Sequence, residues 1–333
     1  MTRPLVQTVI LNFRTPRMTL RAVEAAHAAM QGIAGEITVV DNGSGDGSDK
    51  VLAEALAARR GWDRVHLRLS PRNGGFGAGN NFAMARGLSD GRRADYVYLL
   101  NSDAFPEPGA ISGLVDFLET HPRAGMAGSF IRGEDGVPHE TAFRFPSIAG
   151  EFEGAVRTGI VTRLLERAVV PLPIPEEATR VDWCAGASVL MRQDMLEAIG
   201  GFDETFFLYY EETDLCQRAK RAGWEVWYLP GSVVVHVGSA STGMKRWVRT
   251  PGYWFESRLH YFTKTHGRAY AALATAARIA GAALWRLRQP FSGRPLGDPP
   301  HFLRDLLAHS LRRLAGRRAR AVPAPMPLTE DAK

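Results

Sequence analysis

Ile37-Thr38-Val39-Val40-Asp41-Asn42-Gly43-Ser44 is the stretch that decides the fold. Four β-branched residues read as a strand, an acid closes it, and Asn42-Gly43-Ser44 is turn chemistry. A helix follows from Ser48 to Arg60, capped by Ser48 or Asp49 and stopped by Gly61. The same unit recurs on either side. Upstream, the apolar run Val6–Phe13 leads to an alanine-rich helix from Pro16 to Met30, with proline suited to a first turn. Downstream, a strand at Val65–Leu69 leads to a helix beginning at Gly79 and running to Gly87. A strand at Tyr96–Leu100 then leads to a helix over Pro108–Thr120. Strand and helix in alternation predict an α/β protein with a parallel sheet flanked by helices. In such sheets ligands sit beyond the carboxyl ends of the strands. Four polar clusters fall there: Asn12, Asp41 to Ser44, Asn73-Gly74-Gly75 and Asn101-Ser102-Asp103. Turn formation accounts for one such cluster; four on one rim point to a site.

The alternation weakens after about residue 130. Ile131–Phe145 fits a hairpin or a loop, Pro171–Pro175 a rigid extended segment, and Val181–Met191 a strand. Glu211–Ala222 reads as a helix with acids in its first turn, bases in its last and Gly223 as its stop. Trp224–Leu229 and Val233–Val237 read as strands. From about Gly267 the composition shifts to Ala, Leu and Arg. Leu303, Leu307, Leu311 and Leu314 form a stripe, with Arg304, Arg312, Arg313 and Arg317 mostly off it. A helix on a membrane surface fits this pattern, and so does a helix packed on the main domain with its arginines in water. The Pro-rich residues from Ala321 onward are expected to be disordered.

The chain has 333 residues, 45% hydrophobic and 23% charged, which excludes disordered and fibrous classes. Cys184 and Cys216 are the only cysteines, so a disulfide framework and an all-cysteine zinc site are excluded and a reducing compartment is expected. The first apolar stretch is interrupted by Arg14 and Arg17 and does not fit a signal peptide. The stretch nearest to a membrane span, Ala269 to Trp285, carries Arg278 at its middle. The net charge of +6 is uneven. Lys264 to Arg320 holds twelve basic and two acidic residues, a net of +10, and leaves residues 1–263 at −3. Such a tail suits a nucleic acid or an anionic membrane. Few aromatics for stacking and the lack of a known motif turn the choice away from nucleic acid.

Asp103, at the end of an apolar strand, can reach a hard divalent cation. Glu211, Glu212 and Asp214 crowd the start of one helix beside Phe206-Phe207-Leu208-Tyr209-Tyr210. Macrodipole complementarity accounts for one or two of these acids. All three beside an aromatic cluster look like a general base whose pKa is raised by crowding and desolvation. His236 ends the strand Val233-Val234-Val235 and fits either a hydrogen-bonded core residue or an imidazole ligand suited to Mn²⁺. Asn73 to Asn81 is a glycine-rich turn into a helix whose amides can meet anions. Its spacing breaks the dinucleotide fingerprint at Phe82, and no phosphate-binding G-x-x-x-x-G-K-[ST] loop exists.

Together these segments resemble the inverting family 2 glycosyltransferases with a GT-A fold, in the rhamnosyl- and galactofuranosyl-transferase-like subgroup. Seven segments carry the resemblance in order over about residues 5–240: Val39 to Ser44, Asn73 to Asn81, Leu99 to Ala104, Trp183 to Ala187, Gly200 to Glu204, Phe206 to Cys216, and His236 to Ser239. The resemblance implies a GT-A domain over 1–263, with a nucleotide-binding half to 130 and an acceptor half from 131. A basic helical extension over 264–320 lies outside it.

The resemblance also implies roles. Asn12, Asp41, Asn42 and Ser44 would hold the donor's base and ribose, with Gly77 and Asn80 over the nucleotide. Asp103 matches the last acid of the family's metal motif, whose first place is taken here by Asn101, a candidate for metal or ribose. His236 matches a further metal position, for Mn²⁺ or Mg²⁺. Trp183 and Gly186 would shape the sugar and acceptor pocket. Glu212 falls at the base position, where the family usually has Asp; Glu211 and Asp214 are the alternatives. The implied reaction is metal-assisted single displacement from a nucleotide-diphosphate sugar to a hydroxyl of a glycan or polyprenyl-linked glycan. The subgroup puts dTDP-rhamnose first and a UDP- or GDP-sugar next. The competing expectation is a GT-A-fold scaffold without activity. The expected location is cytoplasmic, peripheral to the cell membrane.

Overall fold

Alternate residues of the central strands face opposite layers, as a two-residue side-chain period requires. Tyr96, Tyr98 and Leu100 join one core, and Val97 and Leu99 the other. The computed structural model describes residues 4–238, 247–293 and 297–314. Ser239, Arg317, the Leu314 side chain and the tail from 321 lie outside the described residues.

The first half alternates as expected: β1 (Leu5–Asn12), α1 (Pro16–Ala29), β2 (Ala34–Asp41), α2 (Ser48–Ala58), β3 (Val65–Leu69), α3 (Phe76–Met84), β4 (Tyr96–Asn101), β5 (Ala104–Pro106) and α4 (Ala110–Thr120). The starts of several elements differ from the sequence reading: β2 begins at Ala34, three residues before Ile37, and α4 at Ala110, two after Pro108. α3 begins at Phe76, three residues before Gly79, and the cap of α2 is Gly47 rather than a Ser48 or Asp49 side chain. The second half holds β6 (Ala124–Arg132), β7 (Ala142–Phe143), α5 (Ile148–Val156), α6 (Gly159–Leu164), β8 (Thr179–Val181), β9 (Trp183–Cys184), β10 (Ser188–Arg192), α7 (Gln193–Ile199), α8 (Glu211–Arg221) and β11 (Glu225–His236). The run Val181–Met191 is thus three short strands. The two strands expected on either side of Pro230 are one, with its register broken between Leu229 and Val233.

The main sheet runs β3-β2-β1-β4-β10-β6-β11-β5, with β8 also on β11. β3, β2, β1 and β4 are parallel, as are β6 and β11. β10 is inserted antiparallel between β4 and β6, so the sheet is mixed. One face carries α1 and α4, the other α3, α7 and α8. This topology brings the end of β4 beside the end of β11: β5 pairs antiparallel with β11, Ala104 opposite His236.

Three helices follow: α9 (Gly252–His266), α10 (Arg268–Arg288) and α11 (Phe302–Leu314). Among the described residues no helix is long and apolar enough to cross a membrane. α11 packs inward through Phe302 and Leu306, not through the leucine stripe: Leu307 and Leu311 are exposed and Leu303 is half-buried. α10 is pinned to α5 by a buried ion network. Arg258 is 2% exposed; it donates to Glu151 Oε2 at 2.8 and 3.2 Å and to Thr275 Oγ1 at 3.0 Å. Arg278 reaches the same carboxylate oxygen at 3.4 Å. Removing one partner of a buried pair leaves the other charge uncompensated. Glu151→Gln is therefore expected to cost about 3 kcal/mol of stability, read as a lower urea midpoint at unchanged slope. An unchanged midpoint would show that the network holds nothing together.

Candidate active site

A cavity of about 330 Å³ opens at the carboxyl rim of the sheet. Its walls come from many parts of the chain, among them the end of β1 with Phe13 and the start of α9 with Tyr253. β4 and the following turn supply Asn101, Ser102 and Asp103, and β11 supplies His236. The turns after β2 and β3 supply Asn42, Asn73, Gly75 and Phe76. The segment before β10 supplies Gly186, and α8 with its approach supplies Tyr209, Glu211 and Glu212.

The Asp103 carboxylate and the His236 ring meet at 3.0 Å (Oδ1 to Nε2), both largely buried, and Asn101 Nδ2 lies 3.4 Å from the same ring nitrogen. A backbone bond from Val237 N–H to Asp103 O at 3.0 Å fixes the pair. An oxygen and a nitrogen donor converging on one edge of a cavity are a donor set that a divalent cation can use, with the imidazole less suited to Mg²⁺, which takes oxygen ligands. Among the described residues no three His, Cys, Asp or Glu side chains cluster, so the remaining positions on such an ion would go to ligand oxygens and water.

The acids of α8 divide. Tyr209 and Tyr210 both take left-handed backbone angles, φ of 71° and 69°, which few non-glycine residues adopt. That turn starts α8 directly at the cavity wall. Burial pushes the Glu211 carboxyl well above the usual carboxylate range, and the charge of Glu212 pushes it further. Burial also raises Glu212, opposed by its own backbone N–H and that of Gly186. One oxygen of each has no hydrogen-bond partner. Asp214, one turn on, lies off the cavity. It pairs with Arg218 Nε at 2.8 Å and Lys264 Nζ at 2.8 Å. Arg218 in turn donates to the carbonyls of Ile199, Gly200 and Gly201. Asp214 thus anchors the segment before α8, and both its neighbours are cations; it is not placed as a base.

The other expected residues also divide. Asn42, Asn101, Asp103, Gly186, Glu211, Glu212 and His236 share the cavity. Asn12, Asp41 and Ser44 sit beneath the rim as a buried network. Asp41 accepts from Asn12 Nδ2 at 2.7 Å and Ser44 Oγ at 2.6 Å, and Asn12 accepts from Thr19 Oγ1 at 2.7 Å. Gly77 packs on Phe202, and Asn80 donates to Phe76 O at 2.9 Å; neither is on the wall. Trp183 stacks on Phe143 and lines a second cavity of about 310 Å³. Glu212 lines that cavity too, together with Tyr209, Tyr210, Trp254 and Arg278. Sequence reasoning missed Phe13 and Tyr253. Tyr253 sits in an aromatic run, Tyr253-Trp254-Phe255, that was signal enough to look for a wall of the site.

Comparison with known proteins agrees with this architecture. The chain matches the description "Glycosyl transferase family 2" over residues 9–166. It is 32% identical over 219 residues to N-acetylglucosaminyl-diphospho-decaprenol L-rhamnosyltransferase of Mycobacterium tuberculosis, covering 62% of this chain and 68% of that one. It is 29% identical over 164 residues to rhamnosyltransferase WbbL of Escherichia coli, covering 49% of this chain and 60% of that one. Among solved structures, mannosyltransferase PcManGT from Pyrobaculum calidifontis, in complex with GDP-Man and Mn²⁺, superposes with a TM-score of 0.56 at 17% identity over 96% of this chain and 89% of that one, a likeness of fold. The ordered motifs, the mixed sheet with its site at the rim and these relatives have one reading: the chain belongs to glycosyl transferase family 2 and is a glycosyltransferase of the GT-A fold.

Proposed function

We propose that the chain transfers a sugar, L-rhamnose from a dTDP donor first, to a hydroxyl of a glycan or polyprenyl-linked glycan, with inversion. The observation that carries this reading is the placement of Glu212 in the wall between two cavities. A single displacement needs the acceptor hydroxyl within reach of both the base and the anomeric carbon, so the donor and acceptor sites must adjoin at the base. The cavity with Asp103 and His236 suits the nucleotide diphosphate, and the cavity with Trp183 and Trp254 suits an acceptor sugar, whose apolar faces stack on aromatic rings. The rhamnosyltransferase relatives support the choice of sugar, and the acceptor in the name of the mycobacterial one supports a lipid-linked acceptor.

In this reading Glu212 takes the proton of the acceptor hydroxyl, which attacks the anomeric carbon from the face opposite the leaving diphosphate. Its raised pKa makes it a stronger base than an exposed glutamate. Asp103 and His236 would hold a divalent cation, which supplies positive charge against the departing diphosphate. Asn42 and Asn73, hydrogen-bonded to each other at 3.1 Å, would face the nucleoside.

The test is a melting-temperature panel of dTDP-rhamnose, UDP-galactose, UDP-N-acetylglucosamine and GDP-mannose with and without Mn²⁺. Turnover onto N-acetylglucosaminyl-diphospho-polyprenol follows, with NMR of the new anomeric centre. A donor at about 100 times its dissociation constant should add about 2.7 kcal/mol of stability. The expected result is a metal-dependent shift with dTDP-rhamnose and an inverted product whose formation stops on chelation. A retained configuration would overturn the single displacement, and no turnover of any donor would overturn the transferase reading.

A further inference from the structure

Every exposed residue of α10 between Arg268 and Arg288 is alanine or leucine. The residues recur at helical spacing on one face, with Leu273 58%, Leu284 44% and Leu287 72% exposed, and Phe291 just beyond at 92%. From Ala269 to Leu287 this uncharged face is about 27 Å long. Arg278, which interrupts the run in the sequence, is turned inward to Glu151. A soluble helix with water on its outer side carries polar residues there; between its terminal arginines this one turns Thr275 and Arg278 inward and only alanine and leucine fully outward. The feature continues nearby. Ile160 and Leu164 of α6 are 70% and 78% exposed, and Thr158, just before them, is hydrogen-bonded by Arg288. Eight of the thirteen large apolar side chains exposed among the described residues lie in α6 or beyond residue 268, so the exposure is concentrated rather than scattered.

We infer that the outer face of α10 rests on an anionic lipid surface, lying in its plane with Leu284, Leu287 and Phe291 among the acyl chains. Charge selects this occupant. Arg268 stands at one end of the face and Arg286 and Arg288 at the other. The segment 264–320 carries a net of +10, and its two acids, Asp298 and Asp305, are already paired with Arg157 and Arg249. A second copy docked on this face would bring two such segments together against their charge. Anionic headgroups complement it, and an apolar helical face rimmed by arginines is what such surfaces bind. The inference rests in part on the polyprenyl-linked acceptor proposed above, since such an acceptor lies in a bilayer.

The test uses the full chain and sedimentation with vesicles of phosphatidylcholine alone or mixed with phosphatidylglycerol. The wild type should bind the mixed vesicles and bind the neutral ones weakly. Leu284→Glu with Leu287→Glu should lower binding on the order of a hundredfold, and Arg286→Gln alone on the order of fivefold. Both should keep the wild-type melting temperature, since these side chains are outside the core. Equal sedimentation of wild type and the double variant would overturn the inference, as would none by either. A wild-type dimer in solution that becomes monomeric in the double variant would assign the face to a second copy and overturn it as well. Transfer onto N-acetylglucosaminyl-diphospho-polyprenol dispersed in detergent is read separately: vesicle binding without transfer from any donor leaves the surface standing and removes the functional reading.

Discussion

Glu212→Gln is expected to lower turnover by on the order of 10³-fold, the weight of a general base, while the donor's dissociation constant stays nearly unchanged. It is also expected to raise the melting temperature at neutral pH. The two effects share a cause. Glu211 is buried and Glu212 half-buried beside it, neither in an ion pair among the described residues, and desolvation holds both carboxyls above their ordinary range. The folded state therefore holds their protons more tightly than the unfolded chain does. As pH rises from the ordinary carboxylate range through the raised pKa, the unfolded state releases its protons first and stability falls. Glutamine carries no such penalty, so the gain should be largest above the raised pKa and vanish in acid. Turnover runs the other way. The base must be ionised, so the rate should climb with pH through an apparent pKa above that of a free glutamate, one that belongs to the pair. Rate profiles and melting curves for Glu211→Gln and Glu212→Gln check both. A Glu212→Gln enzyme with full turnover beside a dead Glu211→Gln enzyme would move the base to Glu211.

That carboxylate pair also shows what the sequence could and could not disclose. Three acids within four residues at a helix start were visible, and so was their aromatic neighbourhood. Arg218, four residues after Asp214, stands at ion-pair spacing on the helix, a signal that the sequence reading did not use when it kept Asp214 as an alternative base. Lys264, its second partner, is fifty residues away, and only the folded chain brings it near. The rim clusters were legible because local turn chemistry puts Asn and Asp at strand ends, and Asn42, Asn101 and Asp103 do meet in one cavity. The antiparallel insertion of β10 between β4 and β6 was not, since strand periodicity carries no information about which neighbour a strand pairs with. The leucine stripe of α11 was visible and its direction was not. Phe302 and Leu306 compete for the same inward position and are better placed against Trp254 and Phe255.

Gly75→Ala is expected to cost about 5 kcal/mol of stability, as strain and steric overlap together. Gly75 has φ of 92° and ψ of −176°, a region that essentially only glycine occupies. A methyl group there would lie 1.9 Å from the carbonyl oxygen of Phe207, which is backbone and cannot swing away. The same contact is held by a hydrogen bond from Phe76 N–H to Phe207 O at 3.1 Å, while Asn42 Nδ2 donates to Gly75 O at 3.1 Å. The turn that carries Asn73 and Phe76 is thereby bonded to the segment that leads into Glu211 and Glu212, two stretches that line the same cavity. Gly109→Ala is the control. Gly109 has φ of 85° with nothing within 4 Å of the added carbon, and it should cost only the left-handed strain, about 1 kcal/mol. Denaturant midpoints of the two variants separate strain from contact. Equal losses would mean that the two loops part freely. A larger loss at Gly75, together with weakened donor binding in whatever fraction still folds, would mean that their contact sets the width of the cavity.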